Sequence, residues 1–292
     1  MVVRTKDEIV LARVEARRLQ RANPSLFGEL PVRVSELATA LGVKIEKRAT
    51  LKQRAQLEVF GGPTANDSTI VLERNLDPNA VRFALAHEIG HVVLLKNHPQ
   101  KAQQWDVPAR EEFANAFAAE LLTPSQLRGQ LTASFRDLSD PIAFLRLASR
   151  LGLSPAALFA IAGRESGWVR GINRIWLRVK YANNAFTGSE PKLRIITAIY
   201  DRTRFFIPTN QSLTRFTGDE KWLVSSPYGS VVRYTGAVSL SLKRTQECEP
   251  KFLRRKVPAD LSAVRLRPSA RDPGAYLVIL AQLNSPSADQ EM

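Results

Sequence analysis

Cysteine is almost missing from these 292 residues: Cys248 stands alone, so the chain can form no internal disulfide and no thiolate metal site. Histidine is nearly as scarce, with three residues, and any metal must rest on it and on carboxylates. Long apolar runs are absent as well. No stretch approaches the roughly 18 consecutive apolar residues of a membrane-spanning helix. Met1–Leu19 mixes charge with helical apolar spacing where a signal peptide would carry an apolar block. These absences imply a soluble, cytoplasmic protein. Acidic charge is also short, with 28 Asp+Glu against 42 Lys+Arg and a formal net charge of +14. The 44% of apolar residues is enough for ordinary cores and excludes intrinsic disorder as the main description, and the length suits about two domains.

The charge is uneven along the chain. Residues 170–292 hold 20 basic and 10 acidic residues, against 22 and 18 in residues 1–169. Most of the surplus therefore belongs to the C-terminal part, which points to an anionic partner there or to a solvated basic surface.

Apolar spacing predicts helices over Thr5–Arg21 and Val34–Leu41, the second stopped by Gly42. Short strands follow at Val43–Ile45, Leu57–Phe60 and Ser68–Glu73. From Asn79 to Leu95 the chain is apolar on nearly every side, as in a buried helix. A polar connection, Asn97–Val107, leads to a further helix over Ala109–Leu122, ended by Thr123-Pro124. Asp140–Arg164 reads as helix, Gly152 turn, helix, with Ser154-Pro155 as N-cap and first helical residue. Beyond it come β-branched and aromatic runs at Ile175–Tyr181, Leu193–Tyr200, Arg204–Pro208, Lys221–Val224, Ser230–Lys243, Ala263–Arg267 and Ala275–Leu283. The fold class is thus α+β. The expected organisation is a metal-binding domain over 1–126, a helix-turn-helix-like segment over 127–169, a basic strand-rich domain over 170–285, and a tail over 286–292.

Inside the buried helix stands His87-Glu88-Ile89-Gly90-His91, an H-E-x-x-H pattern. Residues four apart lie about 40° apart around a helix, so both imidazoles can reach one ion, while Glu88, about 100° away, can flank it as a base for water. Burying two His and a Glu among Phe83, Leu85, Ile89, Val92, Val93 and Leu94 without a ligand or partner would cost several kcal/mol. An open zinc site needs a third protein ligand. Glu111, twenty residues after His91, is one choice, with Asn115 one turn further on the same face to accept a ligand-His N–H. Glu112 is the other choice, on a face shared with Ala116 and Glu120. A structural metal or a satisfied polar cluster is the bland alternative. His98 belongs to the connecting loop, close enough to the motif to be considered for oxyanion stabilisation.

In the basic half, alternation turns Ile175, Leu177 and Val179 inward and places Arg174, Trp176, Arg178 and Lys180 on the other face. That pattern suits phosphates on cations and a base on the ring. Arg254, Arg255 and Lys256 add a basic run. The helix pair is poor in DNA-reading side chains: Pro155–Ala162 carries none that is polar, which favours packing or protein docking.

Three stretches, Arg82–Leu94, Glu111–Pro124 and Pro31–Val43, resemble the ImmA/IrrE metallopeptidase family, and the H-E-x-x-H to Glu spacing is similar to the gluzincin arrangement. Thr123 departs from the family's usual Met before proline. The resemblance implies a small α+β zinc-peptidase domain with His87, His91 and Glu111 as ligands of one Zn2+, or another divalent ion such as Mn2+, and Glu88 as general base. It further implies a regulatory endopeptidase that cuts an XRE-type helix-turn-helix repressor in a stress, DNA-damage or mobile-element response. A helix-turn-helix-like segment and a sensor-like C-terminal domain, GAF-like or barrel-like, would follow, open to a ligand or nucleic acid. A nucleic-acid-binding regulator that uses the peptidase fold as a scaffold is the alternative.

Overall fold

The structure, a computed structural model, describes residues 7–49, 55–59, 68–74, 76–124, 127–136, 138, 140–164, 174–182, 192–199, 205–206, 231–243, 252–266 and 276–283. The expected strand at Lys221–Val224 and the expected tail lie outside them. The chain divides into two compact units, Met1–Leu131 with Leu147–Leu158, and Thr132–Arg146 with Phe159–Met292. Residues 127–169, read from sequence as a segment of their own, are shared between these units.

The first unit begins with α1 (Asp7–Ala22), the short α2 (Pro24–Phe27) and α3 (Val34–Ala40). Three strands follow, β1 (Lys44–Arg48), β2 (Ala55–Val59) and β3 (Ser68–Glu73), in the sheet order β1-β3-β2. β3 pairs parallel with β1 and antiparallel with β2, and Ser68–Leu72 are all buried. That central position explains why this strand lacks polar alternation: both of its faces are covered. β2 is left as an outer strand of the sheet.

Helix α4 (Pro78–Asn97) packs against this sheet and against α6 (Val107–Leu122). Asp77 caps α4 by accepting from the Asn79 N–H at 2.8 Å, and Asp106 caps α6 by accepting from the Ala109 N–H at 2.9 Å. The second cap starts α6 two residues before the Ala109 predicted from spacing. The polar connection between the two helices contains a helix of its own, α5 (Pro99–Gln104), which buries Ala102. Its composition hid it, because a single inward alanine leaves no apolar period to read.

α1 lies across α6, joined there by a buried charge. Glu120 is fully buried, accepts from Arg17 Nε at 2.8 Å and lies 3.9 Å from Arg13 Nε, while Gln20 donates to the Glu120 carbonyl at 2.8 Å. Removing one partner of a buried ion pair leaves the other's desolvation uncompensated. Arg17→Met is therefore expected to destabilise the protein by about 3 kcal/mol in denaturant titration. Thr123 is also fully buried, and its hydroxyl donates to the Ala119 carbonyl at 2.7 Å. This polar side chain is thus satisfied by the preceding helical turn.

Helices α7 (Arg128–Arg136), α8 (Pro141–Arg150) and α9 (Pro155–Arg164) follow. Gly152 sits in the turn between α8 and α9 at φ +62°, and the Leu153 N–H reaches back to the Ala148 carbonyl at 2.9 Å. A side chain at that φ would be strained. Ser154 Oγ accepts from the Ala157 N–H at 3.2 Å, the cap read from Ser-Pro.

The second unit contains six described strands: β4 (Arg174–Ala182), β5 (Lys192–Ile199), β6 (Phe205–Phe206), β7 (Val231–Lys243), β8 (Phe252–Leu266) and β9 (Tyr276–Leu283). They form one antiparallel sheet in the order β5-β4-β9-β8-β7-β6. β8 starts eleven residues before the Ala263 expected from sequence, because Pro258 argues against an inner strand. The register resolves the conflict. Among the described residues, pairing with β9 begins at Ala259, and Pro258 pairs with Ala237 of β7.

Trp176 corrects the expected nucleic-acid face. It is 1% exposed, with its ring 5.2 Å from that of Phe144, which in turn lies 4.7 Å from Phe159. Ile175, Leu177 and Val179 on the opposite face are buried too. β4 is covered on both sides, so Trp176 is a core residue and not a stacking platform for a base.

Candidate metal centre

His87, Glu88 and His91 on α4 and Glu111 and Asn115 on α6 all lie at the crossing of these two helices. His87 and His91 project from one face of α4, and Glu111 projects from the first turns of α6. His87 Nε2 and His91 Nε2 are 3.2 Å apart. Glu111 Oε2 lies 3.3 Å from His87 Nε2, and Glu111 Oε1 lies 3.3 Å from His91 Nε2. One donor atom from each of the three residues thus falls within 4.8 Å of the others. A tetrahedral ion with bonds of about 2.0–2.1 Å sets its donors about 3.3–3.4 Å apart, so the spacing fits zinc geometry. It is Glu111, and not Glu112, that the α6 register turns toward the imidazoles.

The donor chemistry fits as well. Asn115 Oδ1 lies 3.2 Å from His87 Nδ1, which places the His87 proton on Nδ1 and leaves the Nε2 lone pair facing the other donors. Burial lowers the His91 pKa, and proximity to His87 and Arg110 lowers it further against an opposing pull from Glu111, so the ring is neutral at pH 7. The side chains of His87 and His91 are 16% and 20% exposed, whereas Glu111 is 49% exposed, so the cluster opens to solvent on the Glu111 side.

Glu88 is buried beside the cluster. Burial raises its carboxyl pKa to about 7, repulsion from Glu111 adds to the rise, and a hydrogen bond from the Leu57 main-chain N–H opposes it. Leu57 lies on β2, the outer strand, so this bond ties the carboxylate to the sheet. A main-chain donor from a distant strand has no signature in sequence.

Gly90 does have a signature in sequence. A Cβ built there would meet Ala114 Cα at 3.0 Å and Phe117 Cδ1 at 3.2 Å. Glycine in the middle of an apolar helix costs about 1 kcal/mol relative to alanine, which is itself a sign of close backbone approach. Here it lets α6 come near enough for Glu111 and Asn115 to reach the imidazoles. His98, by contrast, sits at the far end of α4, with Nε2 3.2 Å from Glu15 Oε1 on α1, and Asn97 Nδ2 donates to Glu15 Oε2 at 2.8 Å. It faces Glu15 on α1 and takes no part in the His-His-Glu cluster.

Arg178 is half-buried on β4. Arg174 and Lys180 on β4 and Arg254, Arg255 and Lys256 on β8 are placed by their backbone, and their side chains lie outside the described structure.

Among known proteins, residues 38–159 match the Peptidase_M78 family, the IrrE N-terminal-like domain. A solved Mycobacterium tuberculosis transcriptional regulator is similar in fold, with a TM-score of 0.50 and 14% identity over 93% of this chain and 75% of that one. No curated protein matches the chain. Among the described residues no single helix is long and apolar enough to cross a membrane. The match takes in the three-stranded sheet, both crossing helices and every donor of the His-His-Glu cluster, and so residues 38–159 form an IrrE N-terminal-like domain of the Peptidase_M78 family.

Proposed function

We propose that the protein is a regulatory zinc-dependent endopeptidase of the cytoplasm. The observation that carries this reading is the convergence of His87, His91 and Glu111, at tetrahedral donor spacing, beside the buried carboxyl of Glu88. His87, His91 and Glu111 would hold the ion, with Zn2+ favoured over Mn2+ by the two imidazoles. When bound, such an ion supplies Lewis acidity that polarises a peptide carbonyl and acidifies water. Glu88 takes the proton from the attacking water at its carboxylate and hands it to the departing amine, and the Leu57 N–H holds that carboxylate in place. Asn115 fixes the His87 ring, so Asn115→Ala is expected to weaken zinc affinity about ten-fold in a chelator competition.

The favoured substrate is an XRE-type helix-turn-helix repressor, in keeping with the family, and the cut would relieve repression in a stress, DNA-damage or mobile-element response. Incubating the zinc-loaded protein with the repressors encoded beside its gene should give discrete fragments that are absent with Glu88→Gln. Intact repressors under all conditions, with and without DNA, would remove this substrate class.

The charge surplus of residues 170–292 favours a second reading, in which the C-terminal unit binds nucleic acid and the peptidase fold serves as its scaffold. Under it, affinity for DNA falls steeply with salt and is lost on changing Arg174, Arg178 and Lys180 together. Trp176 plays no part, being in the core. Binding that ignores salt would exclude this reading.

A further inference from the structure

The N-terminal unit holds a second hollow, lined by other residues than the metal donors. It lies between the start of α3, β1 and the first two turns of α4, and has a volume of about 240 Å³. Val34 and Leu85, both buried, form its floor, and Leu76 and Val81, half-buried, form its walls. The remaining lining is dominated by two cations, Lys47 at the exposed rim and the half-buried Arg82. Among the described residues no acidic one lines it.

These cations are poorly employed within the described fold. Lys47 makes no ion pair or hydrogen bond among the described residues. Arg82 Nη1 has one contact of this kind there, to the Gly152 carbonyl at 3.5 Å, the outer limit of a hydrogen bond. Asp77, the acid nearest Arg82 along the chain, is engaged in capping α4, and Glu46, next to Lys47, is paired with Arg48. Two positive side chains thus share an apolar hollow in which no described residue has the opposite sign. Such an arrangement favours a ligand that brings a negative charge and an apolar body together.

We propose that this cavity is a binding site for a small amphipathic anion, a carboxylate or phosphate monoester on a short apolar tail. The anionic head pairs with Lys47 and the guanidinium fork of Arg82, and the tail lies on Val34, Val81 and Leu85. The volume has room for roughly eight water-sized groups, which is the size of hexanoate and too small for a nucleotide. Because Arg82 also touches the Gly152 turn, the bound anion lies beside the joint between α8 and α9. The site is separate from the metallopeptidase reading and its test needs no peptidase activity.

Thermal unfolding and calorimetry of the full chain, with hexanoate and hexyl phosphate as probes, test the proposal. A saturable rise in Tm of about 3 °C with either probe is expected, with acetate, inorganic phosphate, hexanol and hexylamine giving none. The relative strength of the two probes tells which headgroup the fork prefers. Lys47→Gln, at the exposed rim, should weaken binding about ten-fold, and Val81→Trp, which fills the hollow, should abolish it. Hexanol acting as well as hexanoate would overturn the role of the cations. Acetate acting as well would overturn the role of the apolar floor. Unchanged affinity in both the Lys47→Gln and Val81→Trp variants would place the ligand elsewhere and overturn the site.

Discussion

Glu88→Gln is expected to lower the rate of repressor cleavage by about 10²–10⁴-fold while leaving the zinc content of the purified protein unchanged. Glutamine has the shape of glutamate and keeps an oxygen that can accept from the Leu57 N–H, so the surroundings of the residue persist. What it loses is the ability to take up a proton. The three donor atoms are untouched, because Glu88 lies beside the His-His-Glu cluster and contributes nothing to it. Metal analysis and cleavage assays on the same preparation separate the two roles. Loss of zinc together with activity would make Glu88 a ligand, and cleavage at the wild-type rate would remove it as the base.

The same substitution has a stability consequence in the metal-free protein. The fold raises the Glu88 carboxyl pKa from 4.5 to about 7, so the folded state favours the protonated acid. Below pH 4 the acid is neutral whether folded or unfolded, and the shift costs nothing. As pH rises through this range the unfolded chain gives up its proton first, and stability falls until the folded acid has also ionised. Glu88→Gln removes that loss. Without metal it should therefore be more stable than wild type at pH 8, by up to about 3 kcal/mol, and similar to it at pH 4.

The contrast between the site and the basic domain comes down to the range over which the chain must be read. His87 and His91 are four residues apart on one helix, and helical geometry alone brings their rings together. Glu111 and Asn115 repeat that spacing on a second helix, so only the packing of two helices had to be supplied. The choice between Glu111 and Glu112 did depend on that packing, since a rotation of 100° separates them. Leu57 was illegible because a main-chain donor can come from any residue type. Trp176 misled for a related reason. Alternation of apolar and charged residues describes a strand with one wet face, but Phe144 lies far enough away in sequence that nothing in the strand reports its arrival on the other face. Pro258 hid the first eleven residues of β8, because a proline in a strand-like run argues against an inner strand. Elements fixed by local spacing were readable, and those fixed by a distant neighbour were not.

Gly90→Val is expected to weaken zinc binding by at least about 100-fold, although residue 90 offers no donor atom. The first added carbon would already sit 3.0 Å from Ala114 Cα and 3.2 Å from Phe117 Cδ1. One of these neighbours is backbone, so relief must come from moving α6 as a whole, and valine's two further carbons enlarge the movement. Glu111 and Asn115 travel with that helix. A metal site tolerates donor displacements of only about 0.5 Å, so a separation of this kind pulls Glu111 Oε1 and Oε2 away from the imidazoles and releases His87 Nδ1 from Asn115. Overpacking of the crossing adds about 1–3 kcal/mol of destabilisation. Gly90→Ala should lose less on both counts, because contacts of 3.0–3.2 Å need a shift of only a few tenths of an ångström. Gly129→Val, at a helical glycine with nothing within 4 Å of its Cβ position, controls for helix propensity and should bind zinc as wild type does. Titration against a chromophoric chelator, with denaturant unfolding alongside, reads both effects. Undiminished zinc affinity in a folded Gly90→Val protein would mean that the close crossing of α4 and α6 does not set the donor spacing.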